Sequence, residues 1–232
     1  MNKYDIVEKI EQFAPLETAE SWDASGWLVE TGKKEVYKIM LCLTPTDDIV
    51  LQAKSLSCDM IISHHPAFFV PCNWKNIDMY CAHTNLDKAS GGTTDTIIKN
   101  LNLEEYKSFI DHEFLRFIDF KNRISIEDFS KIISSKFPTA RVINNRHVKD
   151  LKKVAFCAGS GSEFISEAKL LGADCLVTGD LKFHTALDSE IVVYDIGHFE
   201  SEILILPVLE KIISGGVEFV YAKEETPFMP VC

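Results

Sequence analysis

Short apolar runs alternate along the chain with stretches in which apolar residues recur at helical spacing. The runs are typical of buried strands, and the stretches are typical of helices that pack by one face. This alternation favours an α/β protein with largely parallel sheets. The pattern predicts strands over residues 38–43, 59–63, 79–83, 154–157, 175–178 and 191–196, and helices over residues 47–56, 125–136, 163–171 and 198–213.

The chain also resembles itself when it is shifted by 115 residues, which aligns residues 39–87 with residues 154–202 without a gap. We interpret this match as a duplicated strand-helix-strand unit and predict two similar α/β lobes. The least regular segment, about residues 107–123, is the predicted junction between them. The simplest division is into residues 1–120 and 121–232, and the alternative interleaves residues 1–106 and 190–232 with residues 107–189.

The charge and cysteine content narrow the class of protein. With 24 Lys and Arg against 35 Asp and Glu, the net charge is −11. This charge repels phosphate backbones and so disfavours general nucleic-acid binding. It still permits a small phosphorylated ligand bound through a metal ion. The seven cysteines form no C-x-x-C pair. This pattern, and an amino terminus without a signal-peptide core, predict a reducing, cytoplasmic location. No apolar run is long enough to predict a membrane span.

Histidines follow several of the predicted strands, namely His64, His65, His83 and His198. Ligands of parallel α/β sheets bind beyond the carboxyl ends of the strands, so this is where a functional site is expected. Side chains of adjacent extended residues point in opposite directions, and His64 and His65 can therefore serve one site only if the chain turns there. The alternative is that they are two surface histidines of a loop.

Two of these histidines have a carboxylate four residues later. His83 precedes Asp87, and His198 precedes Glu202. On a helix this spacing places both side chains on one face, an arrangement that suits two metal ligands. The alternative for each pair is a carboxylate favoured by the helix dipole beside a capping or core histidine. Because all these groups follow strands, we predict a shared metal site.

Three further residues are candidates for contact with the ligands or with a substrate. Asp180 and His184 follow the strand predicted over residues 175–178, although Asp180 also suits the first turn of a helix. We expect His83 near the metal site without requiring it to bind the ion. The pattern assigns no catalytic residue.

The motifs in combination resemble the Nif-three-like family, whose members often carry the name GTP cyclohydrolase I type 2 homologue. The resemblance extends over nearly the whole chain and is most specific in the order of the histidine motifs. Two departures are the Ala-Ser-Gly after Trp22-Asp23, where the family usually has Asn-Ser-Gly, and Leu43-Thr44-Pro45, where it usually has an Asp. The matching segments are FAPLETAESWDASGWLVE, DMIISHHPAFF, AHTNLDKASGGTTD, KKVAFCAGSG, ADCLVTGDLKFH and VYDIGHFESE.

The resemblance implies two α/β lobes with a dinuclear metal centre between them. It also implies a homo-oligomer, commonly a toroidal hexamer, and the short form of the family without an inserted domain. The ligands that it implies are His64, His65, Asp87, His198 and Glu202.

A centre with histidine and carboxylate ligands lowers the pKa of a bound water to about 7, which suits hydrolysis. Our leading hypothesis is a metal-dependent hydrolase acting on a small nucleotide-like or phosphorylated molecule, including opening of the GTP imidazole ring. The competing hypothesis is a metal-binding, scaffold or regulatory protein without catalysis. Mixed nitrogen and oxygen ligands suit zinc, manganese and iron alike. Five ligands would nearly close one ion, so we expect two ions with Glu202 as the bridge.

Overall fold

The structure is a computed structural model that describes residues 1–228. Its contacts divide the chain into two compact units. Unit 1 contains Met1–Gly92 and the chain from Ile205 onward, and unit 2 contains Thr93–Leu204. This division differs from the boundary predicted at residue 120, because the carboxyl-terminal part adds a strand to the sheet of unit 1.

The strands of the described residues are short, as the apolar runs predict. They form one five-stranded sheet in unit 1 and one six-stranded sheet in unit 2. In chain order they are β1 (Gly26–Val29), β2 (Lys38–Cys42), β3 (Met60–Ser63), β4 (Asp78–Cys81), β5 (Lys107–Ser108), β6 (Arg116–Ser125), β7 (Arg141–Ile143), β8 (Asp150–Phe156), β9 (Cys175–Thr178), β10 (Val192–Asp195) and β11 (Glu218–Tyr221).

The helices begin with side-chain caps where the sequence supplies them. Thr46 accepts a hydrogen bond from the amide of Ile49, and Ser125 accepts one from the amide of Asp128, so each caps the helix that follows. The helices are α1 (Lys3–Phe13), α2 (Asp47–Ser55), α3 (Thr84–Lys88), α4 (Thr93–Asn100), α5 (Ile126–Lys136), α6 (Ile165–Leu170), α7 (Phe183–Asp188), α8 (His198–Glu202) and α9 (Leu206–Ile213).

The sheet of unit 1 has the strand order β1-β4-β3-β2-β11. The four strands from β4 to β11 are parallel, and β1 is antiparallel at one edge. Ser63 lies opposite Cys81 at the ends of β3 and β4. Parallel pairing therefore brings the residues that follow β3 and β4 to the same edge of the sheet.

The sheet of unit 2 has the order β5-β6-β8-β9-β10-β7, with β8, β9 and β10 parallel. Its two faces carry separate apolar clusters. Along β9, Cys175 and Val177 belong to one cluster, whereas Leu176 belongs to the other. A strand buried on both faces needs an unbroken apolar sequence, which explains why this run predicts a strand of the observed length.

The two units share an internal arrangement, and the expected mixed α/β class with largely parallel sheets is confirmed. Each has three neighbouring parallel strands, the last of which is followed by a short helix: β2-β3-β4 with α3, and β8-β9-β10 with α8. The strand β9 begins 115 residues after β3, in the register of the internal match.

Two sequence-based expectations require correction. The segment 107–123 is not a junction, because β5 and most of β6 lie in it and belong to the sheet of unit 2. The helix expected over residues 198–213 is interrupted by a 3₁₀ turn at Ile203–Ile205, followed by a proline in the first turn of α9. Proline has no amide hydrogen for a helical bond and favours a helix start.

The cysteines of the described residues, which extend to residue 228, are all free thiols, and most of them are buried. Cys232 lies outside the described residues. In the same part of the chain, no helix has the length and apolar character needed to cross a membrane.

Candidate metal centre

In both units the candidate ligands follow parallel strands. His64 and His65 come directly after β3, and His83 lies between β4 and α3. In unit 2, His198 is the first residue of α8, which follows β10. These positions are those expected for a ligand site in a parallel sheet.

His64 is fully buried, and its ring has a defined tautomer. Its Nδ1 donates a hydrogen bond to the carbonyl of Ala82 at 2.9 Å. A carbonyl oxygen can only accept, so the lone pair of the neutral ring is on Nε2. That atom lies 3.5 Å from Oδ1 of Asp87. A nitrogen lone pair of His64 and a carboxylate oxygen of Asp87 therefore lie side by side.

His65 joins His64 because the chain bends where β3 ends. The hydroxyl of Ser63 donates to the carbonyl of His65 and stabilises this bend. The two rings then lie with their centroids 5.2 Å apart, and the turn that a shared site requires is present. Nδ1 of His65 is 2.6 Å from the hydroxyl of Thr44, which directs Nε2 away from Thr44.

His83 is held by a buried carboxylate that sequence patterns do not single out. Its Nδ1 lies 3.0 Å from Oδ1 of Asp23, whose side chain is 1% exposed. Burial alone would raise the pKa of Asp23, but hydrogen bonds from Thr84, His83 and Ser25 lower it to about 2. Asp23 therefore remains ionised at neutral pH and accepts the Nδ1 proton of His83.

In unit 2, His198 lies between two carboxylates. Its Nδ1 is 2.6 Å from Oδ2 of Asp180, and its Nε2 is 2.9 Å from Oε2 of Glu202. The hydrogen bond with Glu202 raises the pKa of His198 to about 9; burial opposes this shift, and Asp180 adds to it. The imidazole of His198 is thus held by one carboxylate at each ring nitrogen.

The position of the Glu202 carboxylate depends on a glycine. A Cβ atom at Gly159 would lie 2.1 Å from Oε1 of Glu202. The amide of Gly159 also donates to the hydroxyl of Ser201, which donates in turn to the carbonyl of His198. The loop after β8 therefore seats the first turn of α8 closely, and only glycine leaves the necessary space.

The additional candidates in unit 2 differ in what they contact. Asp180 has a φ of +53°, an uncommon conformation for a non-glycine residue, and holds Nδ1 of His198. Metal-binding histidines commonly have such a partner on the other ring nitrogen. His184 is exposed on α7, where its ring packs edge-on against Phe183. Its role stays a prediction.

The donor atoms in each unit fit a divalent transition-metal ion. Two atoms bound to one ion at about 2.0–2.2 Å each are roughly 3 to 3.5 Å apart. The pairs His64–Asp87 and His198–Glu202 have separations of 3.5 and 2.9 Å. Imidazole and carboxylate donors suit zinc, manganese and iron, so the residues present fit such an ion.

Sequence analysis missed Asp23, Thr44 and Gly159. All three contact a candidate site residue more than twenty residues away in the chain, and these contacts follow no local spacing. The usable signal for Asp23 and Gly159 is their place inside the matching segments SWDASG and FCAGSG. Thr44 stands in a segment that departs from the usual pattern and offers no such signal.

Comparisons with known proteins are consistent with the fold. Over residues 1–227 the chain matches the family Duf34/NIF3 (NGG1p interacting factor 3). A protein of Clostridium perfringens named GTP cyclohydrolase 1 type 2 homolog is 32% identical, with 98% of this chain and 99% of that protein covered.

Solved structures have the same fold. A Bacillus cereus protein related to NIF3 has a TM-score of 0.85 at 19% identity, covering 100% of this chain and 99% of that one. Reduced HcgD from Methanocaldococcus jannaschii has a TM-score of 0.82 at 27% identity, covering 97% and 98%. The resemblance seen in the motifs is confirmed, and the chain belongs to the Duf34/NIF3 family.

Proposed function

We propose that the chain is a metal-dependent hydrolase whose centre holds two divalent ions. The ligands would be His64, His65 and Asp87 from unit 1, with His198 and Glu202 from unit 2. One observation carries the proposal: each unit has an imidazole and a carboxylate at the spacing of two ligands of one ion. In both pairs Nδ1 of the imidazole is held by a further oxygen.

Two ions fit this ligand set better than one. Five protein ligands would nearly fill the shell of a single ion and leave little room for water or substrate. Shared between two ions, the same ligands would leave positions available on both. Glu202 suits the bridging role because its carboxylate is 4% exposed and fixed between His198 and Gly159.

The chain itself contributes orientation and charge. When bound, the ions supply Lewis-acid activation of a water molecule near neutral pH. The contacts at Nδ1 of His64 and His198 fix which ring nitrogen faces the ions. The net charge of −11 repels a phosphorylated substrate, so the positive charge of the ions would be needed to attract it. The relatives' name, GTP cyclohydrolase 1 type 2 homolog, makes GTP the first substrate to test.

A second candidate is a metal-binding scaffold or regulatory protein. The family description contains the phrase NGG1p interacting factor 3, which names an interaction and no reaction. Such a protein would bind the ions without turnover, so the two candidates differ in one measurable property.

The test compares metal-loaded and chelated protein. Protein loaded with zinc, manganese or iron would be incubated with GTP and a panel of other nucleotides, and the products identified by mass spectrometry. We expect turnover that requires the ions and is lost in Glu202→Gln. Turnover should persist in the control His147→Asn, because His147 is exposed and its positive φ is one that asparagine also adopts. A fully loaded protein that hydrolyses none of these nucleotides would refute the hydrolase and favour the scaffold.

A further inference from the structure

A cleft in unit 2 reaches from the surface to one of the apolar clusters of the sheet. Its volume is about 600 Å³, within the range of roughly 300–1,000 Å³ that is typical of small-molecule sites. The described residues that line it include none of the candidate metal ligands. Its apolar lining consists of buried members of that cluster and side chains that pack against it, namely Leu101, Leu103, Tyr106, Phe120, Ile124 and Ile132.

One wall of the cleft is a large bulge in β6. Asp119 pairs with Lys153, and Ile124 pairs with Leu151, so residues 120–123 lie opposite a single residue of β8. Regular antiparallel pairing sets one residue opposite one. A strand that served only the sheet would continue this pairing, because each interruption removes backbone hydrogen bonds. Bulges often redirect side chains towards a functional site, and here the bulged residues line the cleft.

An aromatic pair lies at the bottom of the cleft. The ring centroids of Tyr106 and Phe120 are 4.9 Å apart. Phe120 is buried and also packs edge-on against Phe129, at 6.1 Å. Rings fixed in this way offer a rigid apolar surface on which a planar ligand can pack.

The two carboxylates of the lining are already engaged. Asp128 forms an ion pair with Lys131 at 3.1 Å. Glu105 is hydrogen-bonded to the hydroxyl of Tyr106, whose pKa it raises. Neither carboxylate therefore requires a cationic group from a ligand.

The two cations of the lining differ from each other. The guanidinium of Arg123 pairs with Asp150 at 2.9 Å. Lys121 is exposed and makes no ion pair or side-chain hydrogen bond with any of residues 1–228. Its ammonium group is the charge of the described lining that has no counter-charge, and an anionic group of a ligand would supply one.

We propose that this cleft binds a small aromatic anion, with a planar apolar body against Tyr106 and Phe120 and one anionic substituent beside Lys121. This inference goes beyond the proposed hydrolase, because the cleft shares no residue with the metal centre. It holds whether or not the chain is an enzyme.

The experiment uses the full chain and two fluorescent probes with the same aromatic body. Anilinonaphthalene sulfonate carries an anionic group, and N-phenylnaphthylamine lacks it. Lys121→Gln removes the charge, and Ile132→Trp fills the cleft. The matched controls are Lys149→Gln, which removes an exposed charge outside the cleft, and Ser135→Trp, which adds the same ring at an exposed position of α5.

We expect the wild-type protein to bind the sulfonate about two- to fivefold more tightly than the neutral probe at low salt, which is the effect of one exposed ion pair. Lys121→Gln should abolish this preference, and Lys149→Gln should retain it. Ile132→Trp should weaken both probes by about tenfold or more, because the added ring occupies the space of the apolar body, whereas Ser135→Trp should not. Circular dichroism checks that each variant is folded.

A second measurement locates the probe in the wild-type protein. Isoleucine methyl groups are labelled with carbon-13, and the signals of Ile124 and Ile132 should shift on addition of the sulfonate. This measurement decides the question even if the substituted proteins fail to fold.

Three results would overturn the inference. The first is a saturating sulfonate probe that shifts neither Ile124 nor Ile132. The second is an equal loss of affinity in Lys121→Gln and Lys149→Gln, which would mean that the sulfonate responds only to net charge. The third is loss of binding on chelation of metal ions, which would place the probe at the ions. None of these is a turnover measurement, so the cleft and the hydrolase can fail independently.

Discussion

Replacing Gly159 with alanine tests directly how the loop after β8 positions a candidate ligand. The added Cβ would lie 2.1 Å from Oε1 of Glu202 and 3.5 Å from Cε1 of His198. Restoring an ordinary contact requires the carboxylate to move by about 1 Å. Metal ligands tolerate deviations of only about 0.2 Å, so the displaced oxygen can no longer bind. We expect metal affinity to fall by about tenfold or more.

The same substitution also affects stability, and this effect must be separated from the first. Gly159 has a φ of +60°, which costs alanine roughly 1–2 kcal/mol. Gly172→Ala is the matched control, because Gly172 has a φ of +85° and its added Cβ would meet only Lys153 Nζ, at 3.6 Å. Both variants should lose free energy of unfolding in urea because of the positive φ, and Gly159→Ala should lose more because it also displaces Glu202. Only Gly159→Ala should lose metal affinity by calorimetry. Equal metal affinities in the two variants would refute the reasoning.

Three further predictions concern the centre, the core and the assembly. Glu202→Ala should lower the amount of metal bound at both positions, whereas His64→Ala or Asp87→Ala should weaken metal binding mainly at one. If elemental analysis after dialysis still finds two ions in the Glu202→Ala protein, Glu202 is not the bridge. Lys3→Ala should lower the free energy of unfolding by about 3–5 kcal/mol, because Lys3 is fully buried 3.0 Å from the carboxylate of Asp78. A loss below about 1 kcal/mol in urea titrations would show that the Asp78 carboxylate does not need the charge of Lys3. Native mass spectrometry should find a hexamer, and a monomer at micromolar concentration would exclude this assembly.

The fold was predictable where a single strand is buried on both faces. The strands β3 and β9 are buried throughout and apolar up to a final Ser63 or Thr178, because neighbouring elements cover both sides of the sheet. The strand β11 was not predictable, since its burial is only partial and its pairing with β2 joins residues 180 positions apart in the chain. Its place in the sheet is decided by that distant partner and not by its own sequence.

The candidate ligands were predictable for a different reason. Histidine and carboxylate at strand ends carry a chemical signature that needs no knowledge of the packing, as with His198 and Glu202. The groups that orient them carry no such signature. Asp23 is one acidic residue among many until its distance to His83 is known, and Thr44 is an ordinary hydroxyl until the bend at His65 brings a ring nitrogen against it.

The insertion of unit 2 between the two parts of unit 1 has a consequence for biosynthesis. Thr93–Leu204 leaves the ribosome as one uninterrupted segment, so unit 2 can fold while unit 1 still lacks its last strand. The carboxylate of Glu224 accepts hydrogen bonds from the amides of Leu43 and Thr44, and Thr44 in turn contacts His65. The ring of His65 is therefore fully supported only after translation has passed residue 224. In a nascent chain stalled before that point, the contact of Thr44 with His65 would lack the support that Glu224 gives it.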